Sequence, residues 1–115
     1  MKLEDIIVRN VLLHILGVMD DELDFDREGN IFRVSEKTGE ISRSVGSLVS
    51  YGQPMQTEED AMCLVLRIQF DGCYADDVSK WVLVLKQTNG IEQVEAEIDD
   101  GDIFVNIRAR KDIRR

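Results

Sequence analysis

Apolar residues near the amino terminus recur at the spacing of one helical face. They are Leu3, Ile7, Val11, Ile15 and Val18. Lys2, Asp5 and Arg9 form a polar stripe on another side. The pattern predicts an amphipathic helix over residues 1–19.

Three further apolar residues of this helix, Ile6, Leu13 and Leu16, fall beside the polar stripe rather than on the main apolar face. Large aliphatic side chains left uncovered would form an exposed patch that monomers usually avoid. The sequence therefore predicts a homodimer that buries this patch. The alternative is that the segment Ser47–Gln56 folds over it within one chain.

Two turn signals near the carboxyl end predict a three-stranded meander over residues 80–110. Asn89–Gly90 and Asp100–Gly101 are both preferred pairs for two-residue hairpin turns. Each turn assigns the same residues of the middle strand to the buried face, which fixes the register. The predicted cross-strand pairs are Leu85 with Val94, Leu83 with Ala96, Trp81 with Ile98, Ile98 with Ile103, Ala96 with Val105 and Val94 with Ile107.

Residues 76–89 also admit a second interpretation. Val78, Trp81, Val82 and Leu85 fit helical spacing as well as strand alternation. The run WVLVL favours a strand, so the strand is the preferred interpretation and the helix is left open.

Shorter alternating segments predict the rest of a sheet. Leu64–Phe70 alternates as a strand with one core face, and Asp71–Ser79 follows as a loop. Three short strands are expected between the helix and residue 50, and Ser47–Gln56 is expected to cross between the two halves of the sheet. They are Leu23–Asp26, Ile31–Val34 and Ile41–Val45.

The predicted fold is therefore one α+β domain over residues 1–115. Its amino-terminal helix packs on a twisted antiparallel sheet of about six or seven strands, which ends in the meander. Residues 20–50 hold short strands and acidic turns, residues 62–110 hold the longer antiparallel strands, and residues 111–115 are a basic tail.

The face of the meander that points away from the core predicts an interaction surface. Val82, Val84 and Phe104 would form its apolar centre, with Arg108 beside them. The competing interpretation is that a loop or a second element covers this face.

The charge distribution limits the kinds of partner. The chain has 14 Lys and Arg against 23 Asp and Glu, which gives a net charge of −9 and disfavours nucleic-acid binding. Residues 108–115 hold five basic residues and one acid, but no aromatic side chains to stack on bases. An acidic body would attract a basic protein partner.

The apolar run Ile6–Val18 does not have the features of an export signal or a membrane span. Glu4 and Asp5 occupy the region that would be positive in a signal peptide, and the run is too short to cross a bilayer. A cytoplasmic location is expected, with Cys63 and Cys73 as free thiols. Two cysteines and one histidine do not supply a tetrahedral zinc site.

The segment Asp24–Ser35 resembles the start of an EF-hand calcium loop over eight residues. Asp24, Asp26 and Glu28 stand at the first three ligand positions, and Gly29 stands at the sixth position. The resemblance implies oxygen ligands for calcium, but Ser35 replaces the glutamate expected at the twelfth position. No metal site is favoured, and an acidic hairpin turn with a positive φ at Gly29 is expected instead.

Catalytic patterns find little support in the sequence. His14 lies in an apolar helix, and the paired carboxylates, such as Asp76 with Asp77, fall in predicted turns, where water solvates them. No cofactor is predicted.

The preferred function is a non-enzymatic interaction module of the adaptor, inhibitor or small-chaperone kind. A calcium-modulated module through residues 24–35 is one alternative. A ligand-binding or enzymatic half-barrel with a pocket lined by Trp81, His14 and Asp76 or Asp77 is the other.

Overall fold

The computed structural model describes residues 2–54 and 57–113. Two α-helices and six antiparallel strands form an α+β fold, which confirms the predicted class, and the sheet order is β1-β2-β3-β4-β6-β5. Two short 3-10 helices, Glu59–Met62 and Gly72–Tyr74, flank β4. The elements are α1 (Ile6–Met19), β1 (Leu23–Phe25), β2 (Asn30–Arg33), β3 (Gly46–Gly52), β4 (Cys63–Asp71), α2 (Ala75–Lys86), β5 (Ile91–Asp99) and β6 (Asp102–Arg110).

Both helices pack on the same face of the sheet and share one core with it. Every second residue of β6, from Ile103 to Ala109, is buried in this core, and the alternate residues are only half-buried. Among residues 2–54 and 57–113, no α-helix packs on the opposite face of β4, β6 and β5.

Helix α1 begins at Ile6, later than the sequence pattern predicted. The Asp5 side chain accepts hydrogen bonds from the backbone N–H groups of Ile7 and Val8, at 2.9 and 3.2 Å, and so caps the first turn. Leu3 precedes the helix and is buried in the core.

The buried face of α1 is rotated from the predicted one. Its centre lies at Val8, Leu12 and Ile15, so Leu16 is fully buried, and the prediction that Leu16 lies off the core face is wrong. Ile6 and Leu13 lie on the far side of the helix and are 69% and 44% exposed.

Residues 75–86 form helix α2, so the predicted strand over 80–86 is wrong, as is the loop over 71–79. Val78, Trp81, Val82 and Leu85 are buried at helical spacing against the sheet. Burial of this face outweighs the strand preference of the β-branched residues, because intrinsic propensities are small beside packing energies.

The β5–β6 hairpin confirms the second predicted turn. Asp100 and Gly101 both have positive φ, at 51° and 83°, as a two-residue hairpin turn of this type requires. The predicted cross-strand pairs of β5 and β6 all occur, but Ala96 and Ile98 are exposed, so the prediction that they lie on the buried face is wrong. The pairs are Ile98 with Ile103, Ala96 with Val105 and Val94 with Ile107. Strand β4 occupies the far side of β6, where the meander placed no strand.

The segment predicted to cross between the sheet halves is instead part of the sheet. Its residues 47–52 belong to β3, between β2 and β4, so this segment does not cover Ile6 and Leu13 on α1. The strand predicted at Ile41–Val45 reduces to one isolated bridge between Val34 and Ile41. Residues 55–56 of the predicted crossing segment lie outside the described residues.

The basic tail is described as far as Ile113, which is 8% exposed and joins the core. Lys111 donates a hydrogen bond to the Gln53 side chain at 2.6 Å. Among residues 2–54 and 57–113, no helix has both the length and the apolar character needed to cross a membrane.

Candidate interaction surfaces

The uncovered face of β4, β6 and β5 is the first candidate surface, and we call it the outer face. Cross-strand pairing places twelve residues on it, with five carboxylates and two arginines among them. Its residues are Val65, Arg67, Gln69 and Asp71 of β4, Asp102, Phe104, Asn106 and Arg108 of β6, and Gln93, Glu95, Glu97 and Asp99 of β5.

Arg67 organises the centre of the outer face. Its guanidinium group lies over the Phe104 ring, 4.3 Å from the centroid, and forms an ion pair of 2.7 Å with Glu97. It also donates a hydrogen bond to the Asn106 side chain at 2.9 Å. The ring face of Phe104 is therefore partly covered by a cation, while Val65 on β4 is 38% exposed.

Arg108 joins three elements at one end of the outer face. It donates to Asp60 of the first 3-10 helix at 2.5 Å and to Glu92 of β5 at 3.0 Å. These hydrogen bonds, the one to Asp60 first, raise the pKa of Arg108, and the bond from Arg108 lowers the pKa of Glu92. Arg108 is thus engaged within the fold, which favours a positioning role over a direct contact with a partner.

Cys63 lies beside this cluster. It is buried, and burial together with the Glu92 charge raises the pKa of its thiol. Both cysteines are free, and Cys73 is exposed. Partial desolvation and the neighbouring Asp71 carboxylate raise the pKa of Cys73, so neither thiol has the lowered pKa of a reactive nucleophile.

The second candidate surface is an apolar groove of about 400 Å³ between α2 and β5. Leu83 on its helix side is 61% exposed and Ile98 on its strand side is 79% exposed. Ser79 supplies the one polar side chain in its lining. The lining residues are Ala75, Val78, Ser79, Val82, Leu83, Ala96, Ile98 and Ile103.

The third candidate surface is a shallow depression on α1, bounded by Ile6, Arg9, Asn10, Leu13 and Phe25. Of the three residues predicted to form a dimer contact, Ile6 and Leu13 line this depression, whereas Leu16 is buried in the core.

The structure does not unite the predicted interaction residues. Phe104 and Arg108 are on the outer face, whereas Val82 is 9% exposed beneath the groove and Val84 lies on the solvent side of α2. The strand prediction had placed Val82 and Val84 beside Phe104, and the helix moves them to the other face of the sheet.

The sequence pattern predicts Leu83 and Ile98 as buried members of cross-strand pairs, but both are exposed, and it does not place Val65 on the interaction surface. Helical spacing over residues 75–86 places Leu83 off the buried face of α2. The hairpin register places Ile98 next to the β5–β6 turn, at the end of its strand.

The acidic turn forms the β1–β2 connection. Gly29 has a φ of 83°, and the Asp26 carboxylate accepts hydrogen bonds from the backbone N–H groups of Glu28 and Asn30. The Asn30 side chain donates a third. In the described part of the chain, no group of three or more His, Cys, Asp or Glu could hold a metal ion.

The groove does not have the lining that the enzymatic alternative requires. Trp81 packs on Phe70, with ring centroids 5.3 Å apart, and His14 is 9% exposed within α1. Neither residue lines the groove, nor do Asp76 and Asp77.

Comparison with known proteins finds no matching family model, no matching curated protein and no matching solved structure.

Proposed function

We propose that this chain is a non-enzymatic protein-interaction module of the adaptor, inhibitor or small-chaperone kind. In this proposal the outer face binds a basic, partly apolar surface of a partner protein. The observation that carries it is the uncovered sheet face with an excess of carboxylates around Val65 and Phe104.

The electrostatics of the outer face favour a cationic partner. Both of its arginines are engaged, Arg67 with Glu97 and Arg108 with Asp60 and Glu92. Among the described residues, no ion pair involves Glu95 or Asp99. Glu95 accepts one hydrogen bond from the Gln93 side chain. In this proposal both carboxylates pair with Lys or Arg side chains of the partner, and charge complementarity of this kind promotes both encounter and selectivity.

The position of β5 adds a second way to bind. It is an edge strand nine residues long, so its outer backbone groups have no strand partner in the described sheet. Its four acidic residues discourage pairing with another acidic strand and permit pairing with a basic one.

We also propose a cytoplasmic location and a homodimeric state. Two free cysteines support the first. Exposed aliphatic side chains on α1, α2 and β5 support the second.

A fluorescent peptide of alternating Lys and Val tests the interaction function, with a peptide of alternating Glu and Val as the control ligand. Fluorescence anisotropy should show binding of the Lys–Val peptide only. The double variant Glu95→Gln/Asp99→Asn should weaken binding about tenfold, since each exposed charge contributes up to about 1 kcal/mol.

Glu4→Gln/Glu28→Gln is the matched control variant, because it removes the same charge from exposed positions outside the outer face. It should leave the affinity within about twofold of the wild type, as expected for distant screened charges. Equal weakening of peptide binding by both double variants would show that the affinity depends only on net charge. Absence of binding to the wild type would also contradict the proposal.

A further inference from the structure

The groove between α2 and β5 places large aliphatic side chains in water. Leu83 and Ile98 stand on its two sides, above the buried Val82 and Ile103. Filling the groove with apolar atoms would remove these side chains from water.

The flank of α2 beside the groove has a pattern that is complementary to itself. Ala75, Asp76, Ser79, Leu83 and Lys86 fall within about a third of the helical circumference, at 100° per residue. When a second α2 runs antiparallel with Asp76 opposite Lys86, the same register places Ser79 opposite Leu83. Leu83 of each helix then packs against the small Ser79 of the other, and Asp76 of each helix lies opposite Lys86 of the other.

The surroundings of the groove strengthen this charge match. The β5–β6 turn contacts the chain just before α2, since a side chain at Gly72 would lie 2.2 Å from the backbone oxygen of Gly101. Asp100 of this turn therefore lies at the same end of the groove as Asp76, whereas the neighbouring Asp99 and Asp102 belong to the outer face. Lys86 of a second copy would reach this acidic end.

The depression on α1 has no such match. Arg9 is its one charged lining residue. A two-fold contact centred there would bring two Arg9 side chains together, and like charges repel.

We propose that the groove between α2 and β5 receives Leu83 of a second copy of this chain, through an antiparallel two-fold contact of the two α2 helices. This inference rests on the homodimer in the proposed function and names its surface. The outer face lies on the opposite side of the sheet and stays open in such a dimer.

Sedimentation velocity at high micromolar concentration tests the inference with two matched variants. Leu83→Glu and Leu13→Glu each place a carboxylate at an exposed helical position, so circular dichroism melts should show both folded. The wild type and Leu13→Glu should sediment as dimers. Leu83→Glu should be monomeric, with the dissociation constant raised about a hundredfold or more, because each dimer buries this leucine twice.

The other outcomes are distinct. A dimer that Leu13→Glu dissociates and Leu83→Glu does not would overturn the groove contact while supporting the homodimer. A monomeric wild type would overturn both. If the wild type is monomeric and Leu83→Glu weakens binding of the Lys–Val peptide, the groove belongs to the partner, and the inference is again wrong.

A charge exchange tests the register itself. Asp76→Lys should weaken the dimer about tenfold, because two symmetric ion pairs become repulsive. Asp76→Lys/Lys86→Asp should return the dissociation constant to within about threefold of the wild type, as expected when pairs are restored. Failure of the double variant to recover would contradict the antiparallel register even if Leu83 proves essential.

Discussion

Trp81 anchors α2 to the sheet at the level of a single residue. Its ring packs on Phe70 and is 5% exposed. The Arg33 guanidinium lies 5.9 Å from the ring centroid and is held by an ion pair with Asp20. Trp81 therefore connects the helix, the central strand β4 and the strand β2.

Replacing Trp81 with Ala should lower the free energy of unfolding by about 3 to 5 kcal/mol, as for other large buried aromatic residues. Val84→Ala on the same helix should cost less than about 1 kcal/mol, because Val84 is 44% exposed. Denaturant melts followed by circular dichroism measure both changes. Similar small losses for the two variants would mean that α2 does not pack through Trp81.

The ionisation of Asp26 is tied to the β1–β2 turn. Partial burial raises the pKa of Asp26, but hydrogen bonds from Asn30 and Glu28 outweigh burial and lower it below its ordinary value of 3.8. Because the folded-state pKa is the lower one, the ionised carboxylate stabilises the fold above this value. The stabilisation is lost as the pH falls through the folded-state pKa.

Asp26→Ala should therefore lower the free energy of unfolding at neutral pH by about 1 kcal/mol, the usual net value of such hydrogen bonds. The difference in unfolding free energy between the wild type and Asp26→Ala should shrink at about pH 2, because the Asp26 carboxyl of the wild type is then protonated. Glu28→Ala, in the same exposed turn, is the control. A gap that does not change with pH would show that the Asp26 charge is unimportant.

Among the secondary-structure elements, the pairing of β3 with β4 depends on Gly46. A side chain at Gly46 would lie 2.2 Å from the backbone oxygen of Gln69 and 2.9 Å from the Phe70 ring. Gly52, at the other end of β3, has no atom within 4 Å of the same position. The two glycines in one strand therefore differ in the space they leave for a side chain.

Gly46→Ala should destabilise the fold by about 1 to 3 kcal/mol or more, since backbone atoms of β4 must move to admit the methyl group. Gly52→Ala should be neutral or slightly stabilising, because alanine restricts the unfolded chain more than glycine does. Thermal melts of the two variants make the comparison. Equal stability of the two variants would contradict the close approach of β3 and β4.

Elements whose signals are local were predictable from the sequence. The Asp100–Gly101 turn specifies the β5–β6 register, and the apolar repeat marks α1 to within a few residues. The strand β4 was found by its alternation. These signals arise from neighbouring residues and need no tertiary information.

The misassigned elements depend on tertiary packing. The run WVLVL has a strand preference that is overcome by burial of Trp81 and Leu85 on the sheet. Residues 46–52 contain glycine and serine, which are typical of a loop. They form a strand because they pair with β2 on one side and β4 on the other. The predicted interaction surface was wrong for the same reason, because Val82 and Val84 lie on a helix and are therefore separated from Phe104.

The whole molecule has two sides of different chemistry. The helical side carries the apolar groove, and the outer face carries carboxylates around a small apolar centre. This division gives each proposed contact its own surface, so a dimer through α2 and a basic partner on the sheet are compatible. The net charge of −9 acts over the whole molecule and promotes encounter with a basic partner.

Chemical-shift mapping of the labelled chain with the Lys–Val peptide tests the interaction function most directly. Amide resonances of the outer face, among them those of Val65, Glu95 and Phe104, should shift in proportion to the peptide bound. The amide resonance of Leu83, on the α2 side of the groove, should stay in place. Shifts confined to the groove, or spread over acidic residues without preference for the outer face, would contradict the account.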